Sequence, residues 1–266
     1  PTADVLDTCG TGGDASHTFN ISTTAALVAA GAGCCVAKHG NRSVSSSSGS
    51  ADVLRELGVN IEADVTVVER CLAEAGIGFL FAPALHGAMK HAIGPRREMG
   101  IRTVFNILGP LTNPARATRQ LLGVYDPALL EPVARTLGAL GSARCLVVHG
   151  GDGLDELTTT AASQVCELAD GQLRTYTVQP GMLGLRQARR EDLTVGSPVE
   201  SAEVIRSVLA GTQGPHRDIV TLNAGAALVA GGKAEDLGAG LRLGCESIDS
   251  GAAARVLDRL VAVSNE

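Results

Sequence analysis

The sequence predicts an α/β fold with a largely parallel central sheet flanked by helices. Short apolar runs alternate along the chain with segments of helical length, which is the pattern of βαβ units. The chain has 266 residues, of which 45% are hydrophobic, so it is long enough to enclose a large core.

Strands are predicted where a short apolar-rich run lies between turn residues. These runs are Ala3–Asp7, Cys34–Ala37, Ile77–Phe81, Leu121–Val124 and Cys145–Val148. Residues 164–178 instead alternate in polarity around Ala169-Asp170-Gly171, which predicts a β-hairpin.

Helices are predicted between and after the strands. They are Ser22–Ala30, Ser50–Leu57, Thr66–Ala75, about Ala128–Leu140, Ser201–Ala210, Asp218–Ala230 and Ser250–Val263. Ser22 is suited to the N-cap of the first helix, and Gly31 and Gly58 are suited to helix ends. Thr66 and Glu69 have the spacing of a capping box. Alanine and glycine seams in the last third predict close helix packing.

Composition excludes several classes of function. No run of eighteen apolar residues occurs, so no membrane span is predicted. The 33 glycines follow no three-residue period, which excludes collagen. A net charge of −6 and only 2% aromatic residues disfavour a nucleic-acid-binding surface. The seven cysteines include no Cys-x-x-Cys pair, so we expect a reducing cytosol.

Two loops carry the residue types of an anion site. In Thr8-Cys9-Gly10-Thr11-Gly12-Gly13-Asp14 the glycines let backbone amides converge on an anion, and a helix N-terminus follows near Ser22. The stretch from Lys38 to Asp52 supplies a lysine, an arginine and hydroxyls after a strand, where open α/β sheets bind ligands. Each loop alone is also typical of an ordinary surface turn. Together they predict one shared polyphosphate site, although no P-loop sequence is present.

A third loop supplies carboxylates. Asp152, Asp155 and Glu156 follow the predicted strand at Cys145–Val148. Magnesium ions in phosphate sites take one or two carboxylates together with waters and phosphates. A solvated acidic turn would have the same composition. The basic stretch from Arg96 to Pro114 also has two interpretations. An arginine there could bind a carboxylate, or it could belong to a solvated face.

Other catalytic patterns are missing from the sequence. Among the six histidines, His86 and His91 belong to no His-Glu-x-x-His motif, so a zinc site is not predicted. No Gly-x-Ser-x-Gly elbow occurs, and nothing marks a cysteine nucleophile.

Six motifs together resemble the anthranilate phosphoribosyltransferase family, the tryptophan-pathway branch of the nucleoside phosphorylase/phosphoribosyltransferase class. Their order and spacing match the family from residue 7 to about residue 160, and the last third resembles it more loosely. The motifs are Gly10-Thr-Gly-Gly-Asp14, Asn20-Ile-Ser-Thr23, Lys38-His-Gly-Asn-Arg-Ser43, Gly49-Ser-Ala-Asp52, Gly100-Ile-Arg-Thr-Val-Phe-Asn106 and Leu108-Gly-Pro-Leu-Thr-Asn-Pro114. The resemblance implies transfer of phosphoribose from phosphoribosyl pyrophosphate to the amine of anthranilate, release of pyrophosphate, and use of Mg²⁺.

The resemblance also implies site residues by position. The phosphoribosyl pyrophosphate site would be lined by Gly10, Gly13, Asp14, Thr18, Asn20, Ile21, Ser22, Thr23, Lys38, Ser46 and Ser50. The metal Mg²⁺ would be held by Ser22, Asp155 and Glu156. Anthranilate would lie against Gly10, Asn41 and Arg96, with His39, His86 and Pro110 nearby. No catalytic acid or base is implied, because the aromatic amine is itself a nucleophile.

The resemblance further implies two domains and a dimer. Residues 1–82 and 115–266 would form the α/β phosphoribosyl pyrophosphate-binding domain, and residues 83–114, read as short helices and loops, would be the remaining part of a small helical domain. Family members carry a helical segment before the glycine loop, which also makes much of the dimer contact. The sequence starts at Pro1 with no signal peptide, so we expect a chain without that segment, a cytoplasmic location, and a homodimer in the complete protein.

Three alternatives stay open. A pyrimidine nucleoside phosphorylase of the same fold class would use inorganic phosphate and would not need the Asp155-Glu156 pair. A transferase acting on another aromatic acceptor would share the chemistry, and Arg96 favours an acceptor that carries a carboxylate. A non-catalytic nucleic-acid-binding relative would need a basic surface stripe, which the acidic net charge disfavours.

Overall fold

A seven-stranded sheet forms the centre of the computed structural model, which describes residues 4–14, 16–42, 49–85 and 104–266. Its strands are β1 (Val5–Gly10), β2 (Cys35–Gly40), β3 (Ile77–Phe81), β4 (Arg119–Gly123), β5 (Arg144–Gly150), β6 (Ser163–Ala169) and β7 (Gln172–Val178). The spatial order is β3-β2-β1-β4-β5-β6-β7, with β1 to β5 parallel and the β6–β7 hairpin antiparallel. The predicted α/β class, the largely parallel sheet and the hairpin are confirmed.

Helices cover both faces of this sheet. In the described ranges they are α1 (Ile21–Gly31), α2 (Ser50–Glu56), α3 (Val65–Ala75), α4 (Ala82–Leu85), α5 (Phe105–Leu108), α6 (Leu130–Ala139), α7 (Pro198–Leu209), α8 (Pro215–Ala230), α9 (Leu237–Asp249) and α10 (Ala252–Ser264). Alternate residues of β5 face different helices. Leu146 belongs to the large core formed with α1, α7, α8 and α10, whereas Val147 packs in a smaller cluster with Leu137 of α6.

Small residues bring α8 and α9 into backbone contact. A Cβ at Gly225 of α8 would lie 2.8 Å from the backbone nitrogen of Leu241, and one at Gly240 of α9 would run into the carbonyl oxygen of Gly225. Backbones approach this closely only where a side chain is missing. The predicted close packing of the last third is therefore confirmed for this pair. Helix α9 itself was not predicted, because its glycines lower its helix propensity, and packing on α8 stabilises it.

Strands β1 and β2 extend three residues further than predicted at the carboxyl edge of the sheet, and β5 extends two residues further, from Val148 to Gly150. β1 runs to Gly10 and β2 runs to Gly40, beyond the predicted ends at Asp7 and Ala37. Gly10 pairs with Gly123 of β4, and Gly40 pairs with Phe81 of β3. Pairing with a neighbouring strand overrides weak local strand propensity. Residues 8–10 and 38–40 are therefore strand residues, and the prediction that placed them in loops was wrong.

Two predicted helix caps are also wrong. α1 has Asn20 at its N-cap, and Ser22 lies inside the first turn, where its hydroxyl accepts a hydrogen bond from Lys38. α3 begins after Asp64, whose carbonyl accepts from two backbone N–H groups of the first turn. Because α3 begins one residue before Thr66, that threonine is not available as its N-cap.

Residues 83–114 are described only in part. Residues 104–114 form α5 and a 3₁₀ turn at Gly109–Leu111, and α4 covers residues 82–85. Residues 86–103 lie outside the described ranges. None of the described helices combines the length and the apolar character needed to cross a bilayer.

Glu167 is a buried carboxylate between two arginines on the hairpin side of the sheet. Its Oε1 accepts from Arg144 at 2.8 Å and its Oε2 accepts from Arg174 at 2.7 Å, and the side chain is 3% exposed. Burial raises the pKa of this carboxyl, but the hydrogen bonds from Arg174 and Arg144 outweigh burial and hold the pKa below its ordinary value. The ionised carboxylate therefore stabilises the junction of β5, β6 and β7.

We expect Glu167→Gln to destabilise the fold by about 1–3 kcal/mol at neutral pH, because two charge-assisted hydrogen bonds are weakened. Arg174 is largely exposed, so solvent screens part of its contribution. A lowered carboxyl pKa contributes stability that is present above the unfolded pKa and is lost as the pH falls through the folded pKa. Urea unfolding should therefore show the two chains converging below about pH 4. A stability difference that persists unchanged in acid would contradict this role.

Candidate active site

The carboxyl ends of the parallel strands meet at one edge of the sheet, and the strand order reverses between β1 and β4. The chain passes from β1 outward to β2 and β3, and later returns to β4 on the other side of β1. Open α/β sheets bind ligands in the crevice at such a reversal. Two segments border this crevice: the glycine loop, residues 11–14 after β1, and the acidic loop, residues 151–157 after β5.

The acidic loop lies directly on the ends of β1 and β4. The Gly12 N–H donates to Asp155 Oδ2 at 2.7 Å. A Cβ at Gly10 would overlap the Asp155 carboxylate, and one at Gly123 would overlap the Asp155 backbone carbonyl. Gly10 and Gly123 face each other across β1 and β4. The two missing side chains therefore make the space that the acidic loop occupies.

The glycine loop has a backbone that only glycine adopts readily. Gly12 and Gly13 have φ angles of +65° and +80°. Thr11 anchors the loop, since its N–H donates to the Gly123 carbonyl at 2.9 Å and its hydroxyl accepts from the Tyr125 N–H at 3.1 Å. Backbone N–H groups in such turns form concave sites for anions.

Lys38 brings a cation to the base of the crevice. This β2 residue is only 2% exposed. Its Nζ donates to the Thr8 carbonyl at 2.7 Å and to the Ser22 hydroxyl at 3.1 Å, so it joins β1 to the first turn of α1. Burial lowers the pKa of Lys38, and the nearby carboxylates of Asp7 and Glu156 oppose that shift. The lysine is thus placed where an anion above the α1 N-terminus would meet it.

Asp7 supports this region from within the sheet. The carboxyl is fully buried on β1, and its Oδ1 accepts from the His39 N–H at 3.1 Å. Burial raises the pKa of Asp7, while contacts with Asn113 and Lys38 lower it. Asn113 also donates to the Ala37 carbonyl at 2.9 Å, which fixes the turn after residue 109 against β2.

Three carboxylates interact above the sheet edge. Burial raises the pKa of Asp155 to about 7, and the charge of Asp14 adds to the shift. Burial also raises the pKa of Glu156 well above its usual range, with Asp155 adding to the shift and Lys38 opposing it. Both side chains of the acidic pair still reach solvent in part. Like charges held together in a cleft favour a divalent cation as their neighbour.

The donor set fits magnesium. Across the described ranges, no group of three or more His, Cys, Asp or Glu side chains is arranged to hold a metal ion by itself. The crevice instead offers hard oxygen atoms from Asp155, Glu156 and Ser22, which is the incomplete set expected when substrate phosphates and waters supply the other ligands.

The segment between the glycine loop and α1 is held by the last third of the chain. Thr18 pairs with Thr194 in an isolated antiparallel bridge. The Ser201 hydroxyl of α7 accepts from the Asn20 N–H and donates to Asn20 Oδ1, both at 3.0 Å. The Phe19 ring packs edge-on against the His216 ring, with the two ring centroids 5.0 Å apart. The predicted binding residues Thr18 and Asn20 are therefore oriented from behind the site.

Most of the predicted binding residues lie along this edge. Described residues at the ends of β1, β2 and β5 or at the start of α1 are Gly10, Gly13, Asp14, Thr18, Asn20, Ile21, Ser22, Thr23, Lys38, His39, Asp155 and Glu156. The side chains of Ile21 and Thr23 are both buried, so these positions offer mainly their backbone to the crevice. Ser46, His86 and Arg96 lie outside the described residues.

The remaining predicted acceptor residues stand beyond β2 and before β4. The Asn41 carbonyl accepts from the Ser50 hydroxyl at 3.3 Å, which ties the start of α2 to the end of β2. The Asn41 side chain is exposed. The Pro110 carbonyl accepts from Gln120 Nε2 of β4 at 2.7 Å. Asn41 therefore lies directly after β2 at the carboxyl edge of the sheet, whereas Pro110 contacts β4 through Gln120, near the amino end of that strand.

Sequence reasoning missed residues that hold the loops without lining the crevice. Asn223 of α8 binds the backbone of Leu157 in the acidic loop through both ends of its amide. Ser201 and Asn113 act similarly on other segments. A signal was present for Asn223, since it is a polar residue within the apolar run of a predicted helix, and buried polar groups are almost always paired.

Comparison with protein families and sequences gives consistent matches. The model of the glycosyl transferase family, a/b domain, matches residues 2–254. The anthranilate phosphoribosyltransferase of Moorella thermoacetica is 59% identical over 257 residues, which cover 97% of this chain and 76% of that protein. The anthranilate phosphoribosyltransferase of Desulfosudis oleivorans is 57% identical over 258 residues, which cover 97% of this chain and 76% of that protein.

Solved structures agree in fold. The crystal structure of anthranilate phosphoribosyltransferase from Thermus thermophilus matches with a TM-score of 0.93 at 47% identity, covering 99% of this chain and 78% of that chain. The Saccharomyces cerevisiae enzyme in complex with PRPP and Mg matches with a TM-score of 0.90 at 32% identity, covering 100% and 75%. The yeast enzyme in complex with 4-fluoroanthranilate matches with a TM-score of 0.89 at 29% identity, covering 100% and 74%.

Proposed function

Because this chain belongs to the anthranilate phosphoribosyltransferase family, we propose that it moves the phosphoribosyl group of phosphoribosyl pyrophosphate onto the amine of anthranilate. The products are N-(5-phosphoribosyl)anthranilate, an intermediate of tryptophan biosynthesis, and pyrophosphate. The observation that carries the proposal is the contact between the acidic loop and the glycine loop at the strand reversal, where Gly12 binds Asp155. This contact supports the proposal, because it brings the loop proposed to bind the diphosphate next to the carboxylates proposed to hold the metal.

The chemistry requires a site that stabilises a departing diphosphate. Breaking the anomeric bond builds positive charge on the sugar and negative charge on pyrophosphate. Lys38 would supply positive charge at that point, together with the backbone N–H groups of the glycine loop that are not already bonded to Asp155 or Gly123. Bound Mg²⁺ would neutralise further charge on the leaving group, held by Ser22, Asp155 and Glu156. The aromatic amine needs no strong base to become a nucleophile, so positioning is the main task left to the protein.

The acceptor site is proposed on the β2 side of the crevice. Asn41 stands at the end of β2, next to the start of α2. The resemblance adds Arg96, whose guanidinium would bind the acceptor carboxylate in a bidentate pair. His39, His86 and Pro110 would lie nearby. An acceptor with a carboxylate beside its amine suits this set better than an uncharged ring.

The cellular location, the domain division and the oligomeric state are also proposed. All seven cysteines are free thiols, which supports a reducing cytoplasm. A division into an α/β domain and a small helical domain that includes residues 83–114, and a homodimer of the complete protein, are supported by the resemblance to the family.

One assay tests the reaction directly. Anthranilate fluorescence should fall when the chain is mixed with anthranilate, phosphoribosyl pyrophosphate and Mg²⁺, and should stay constant when either the pyrophosphate substrate or the metal is omitted. A parallel reaction with thymidine and inorganic phosphate tests the nucleoside phosphorylase alternative. Cleavage of thymidine together with constant anthranilate fluorescence would overturn the proposed function.

Ser201→Ala should weaken substrate binding selectively. It removes both hydrogen bonds that hold Asn20 from α7, so we expect the KM for phosphoribosyl pyrophosphate to rise about fivefold, equivalent to ~1 kcal/mol. The KM for anthranilate should change less than about twofold. Ser207→Ala, at an exposed position of the same helix, is the matched control. If both KM values rise equally, Ser201 does not act through Asn20.

A further inference from the structure

We propose that Asn223 is a positioning residue for metal binding: its buried amide fixes the backbone of Leu157 and so sets where the carboxylates of Asp155 and Glu156 stand. Asn223 lies on α8, behind the acidic loop, and does not line the crevice. The inference rests on the proposed function, because it concerns how that site holds Mg²⁺ and phosphoribosyl pyrophosphate.

A three-point contact supports the assignment. Asn223 Oδ1 accepts from the Leu157 N–H at 3.0 Å, and its Nδ2 donates to the Leu157 carbonyl at 2.8 Å. The same Nδ2 donates to the Ile219 carbonyl at 2.9 Å, one turn earlier in α8. The bond to Ile219 fixes which end of the amide faces which partner. One side chain therefore satisfies both backbone groups of a single loop residue and ties that residue to a helix.

Burial makes this contact hard to replace. Asn223 and the side chain of Leu157 are both fully buried. Water has no access to take over a lost bond, and an unpaired buried backbone group is costly. The main chain and the side chain of Leu157 are thus both fixed on the side facing α8.

The acidic loop needs such an anchor. Leu157 directly follows Glu156 and lies two residues after Asp155. On the Asp155 side, the Gly12 N–H donates to Asp155 Oδ2 at 2.7 Å and holds the acidic loop against the glycine loop. Beyond Leu157, the Thr158 N–H donates to the Ser163 hydroxyl at 2.9 Å. Between these two contacts, Asn223 holds the loop against the helix layer, next to the two carboxylates.

The experiment compares two substitutions at this position in the full chain. Asn223→Asp keeps the acceptor for the Leu157 N–H and, when ionised, has no donor for the two carbonyls. Asn223→Ser avoids a buried charge, and its hydroxyl can bond to the Ile219 carbonyl as serines in helices do. For both we expect the Mg²⁺ concentration at half-maximal activity to rise about tenfold, as for loss of an outer partner of a metal ligand.

A second readout is independent of turnover. The Kd of phosphoribosyl pyrophosphate, measured by calorimetry at a fixed Mg²⁺ concentration, should weaken about tenfold in both variants. The KM for anthranilate should stay within about twofold of wild type, because the predicted acceptor residues Asn41 and Arg96 do not belong to the acidic loop. If Asn223 had only a structural role, its substitution would lower the melting temperature and leave the Mg²⁺ concentration at half-maximal activity unchanged.

Ser247→Ala is the matched control. The Ser247 hydroxyl is buried and donates to the Val28 carbonyl at 2.8 Å, joining α9 to α1 away from the acidic loop. The Ser247→Ala variant should have a lower melting temperature and an unchanged Mg²⁺ concentration at half-maximal activity. The inference would be overturned if the Asn223 variants kept the wild-type Mg²⁺ concentration at half-maximal activity and the wild-type Kd for phosphoribosyl pyrophosphate. A wild-type chain without Mg²⁺-dependent turnover would instead overturn the proposed function.

Discussion

The Asp155→Asn variant is expected to convert anthranilate about a hundredfold more slowly than the wild-type chain, because it loses one of the two carboxylates proposed to hold Mg²⁺. The amide oxygen can still accept the hydrogen bond from Gly12, so the acidic loop should keep its place on β1. The loss should therefore come from charge alone. A Mg²⁺ titration of activity should show a much higher midpoint as well as a lower maximum.

The same variant should be at least as stable as the wild type without ligands. The folded state raises the pKa of Asp155 to about 7, chiefly through burial, so the ionised form is disfavoured by folding. A neutral amide removes that penalty at pH values above this pKa. Asp170→Asn, in the exposed β6–β7 turn at the opposite edge of the sheet, makes the same charge change as a control. An unchanged Mg²⁺ titration for Asp155→Asn would show that this carboxylate does not bind the metal.

Gly123→Ala should strongly weaken substrate binding by displacing the acidic loop. The new Cβ would overlap the Asp155 backbone carbonyl, which is part of a main chain and cannot rotate away as a side-chain end would. We expect the Kd for phosphoribosyl pyrophosphate with Mg²⁺ to weaken at least about a hundredfold, and the fold to lose about 1–3 kcal/mol through overpacking. Calorimetry and urea unfolding measure the two effects separately.

A second glycine separates overpacking from a general effect of alanine. Gly181 has open space at the Cβ position, so Gly181→Ala should leave both the Kd and the stability close to wild type. Wild-type affinity in Gly123→Ala would mean that the acidic loop can bind the metal without lying against β4.

Local pattern was enough to predict the fold class and several elements. β3 occupies Ile77–Phe81 as predicted, because a glycine with left-handed backbone precedes it and the short proline-containing helix α4 follows it. The hairpin around Asp170 also follows its turn residues. The ends of β1 and β2 depend on pairing with strands elsewhere in the chain, so local propensity did not locate them. The glycine-containing helix α9 forms through packing on α8, which a helical propensity scale does not include.

For the candidate site, the sequence indicated which loops carry the chemistry but not how they meet. The glycines and carboxylates were recognisable by residue type, and the family resemblance assigned them to one substrate. The bond from Gly12 to Asp155 and the fit of that loop over Gly123 are tertiary facts with no local signature. The same holds for Asn223, whose partner Leu157 lies 66 residues away.

The distance along the chain between the two halves of the crevice has a consequence for how the protein matures. Gly12 and Asp155 are separated by 143 residues, so a nascent polypeptide has no complete substrate cradle until β4 and β5 have been synthesised and have joined β1. Bringing together residues so far apart in the chain costs conformational entropy, which native contacts offset only when they form later. The diphosphate substrate therefore cannot template early steps of folding. By mass action, substrate binding would instead stabilise chains whose sheet is already assembled.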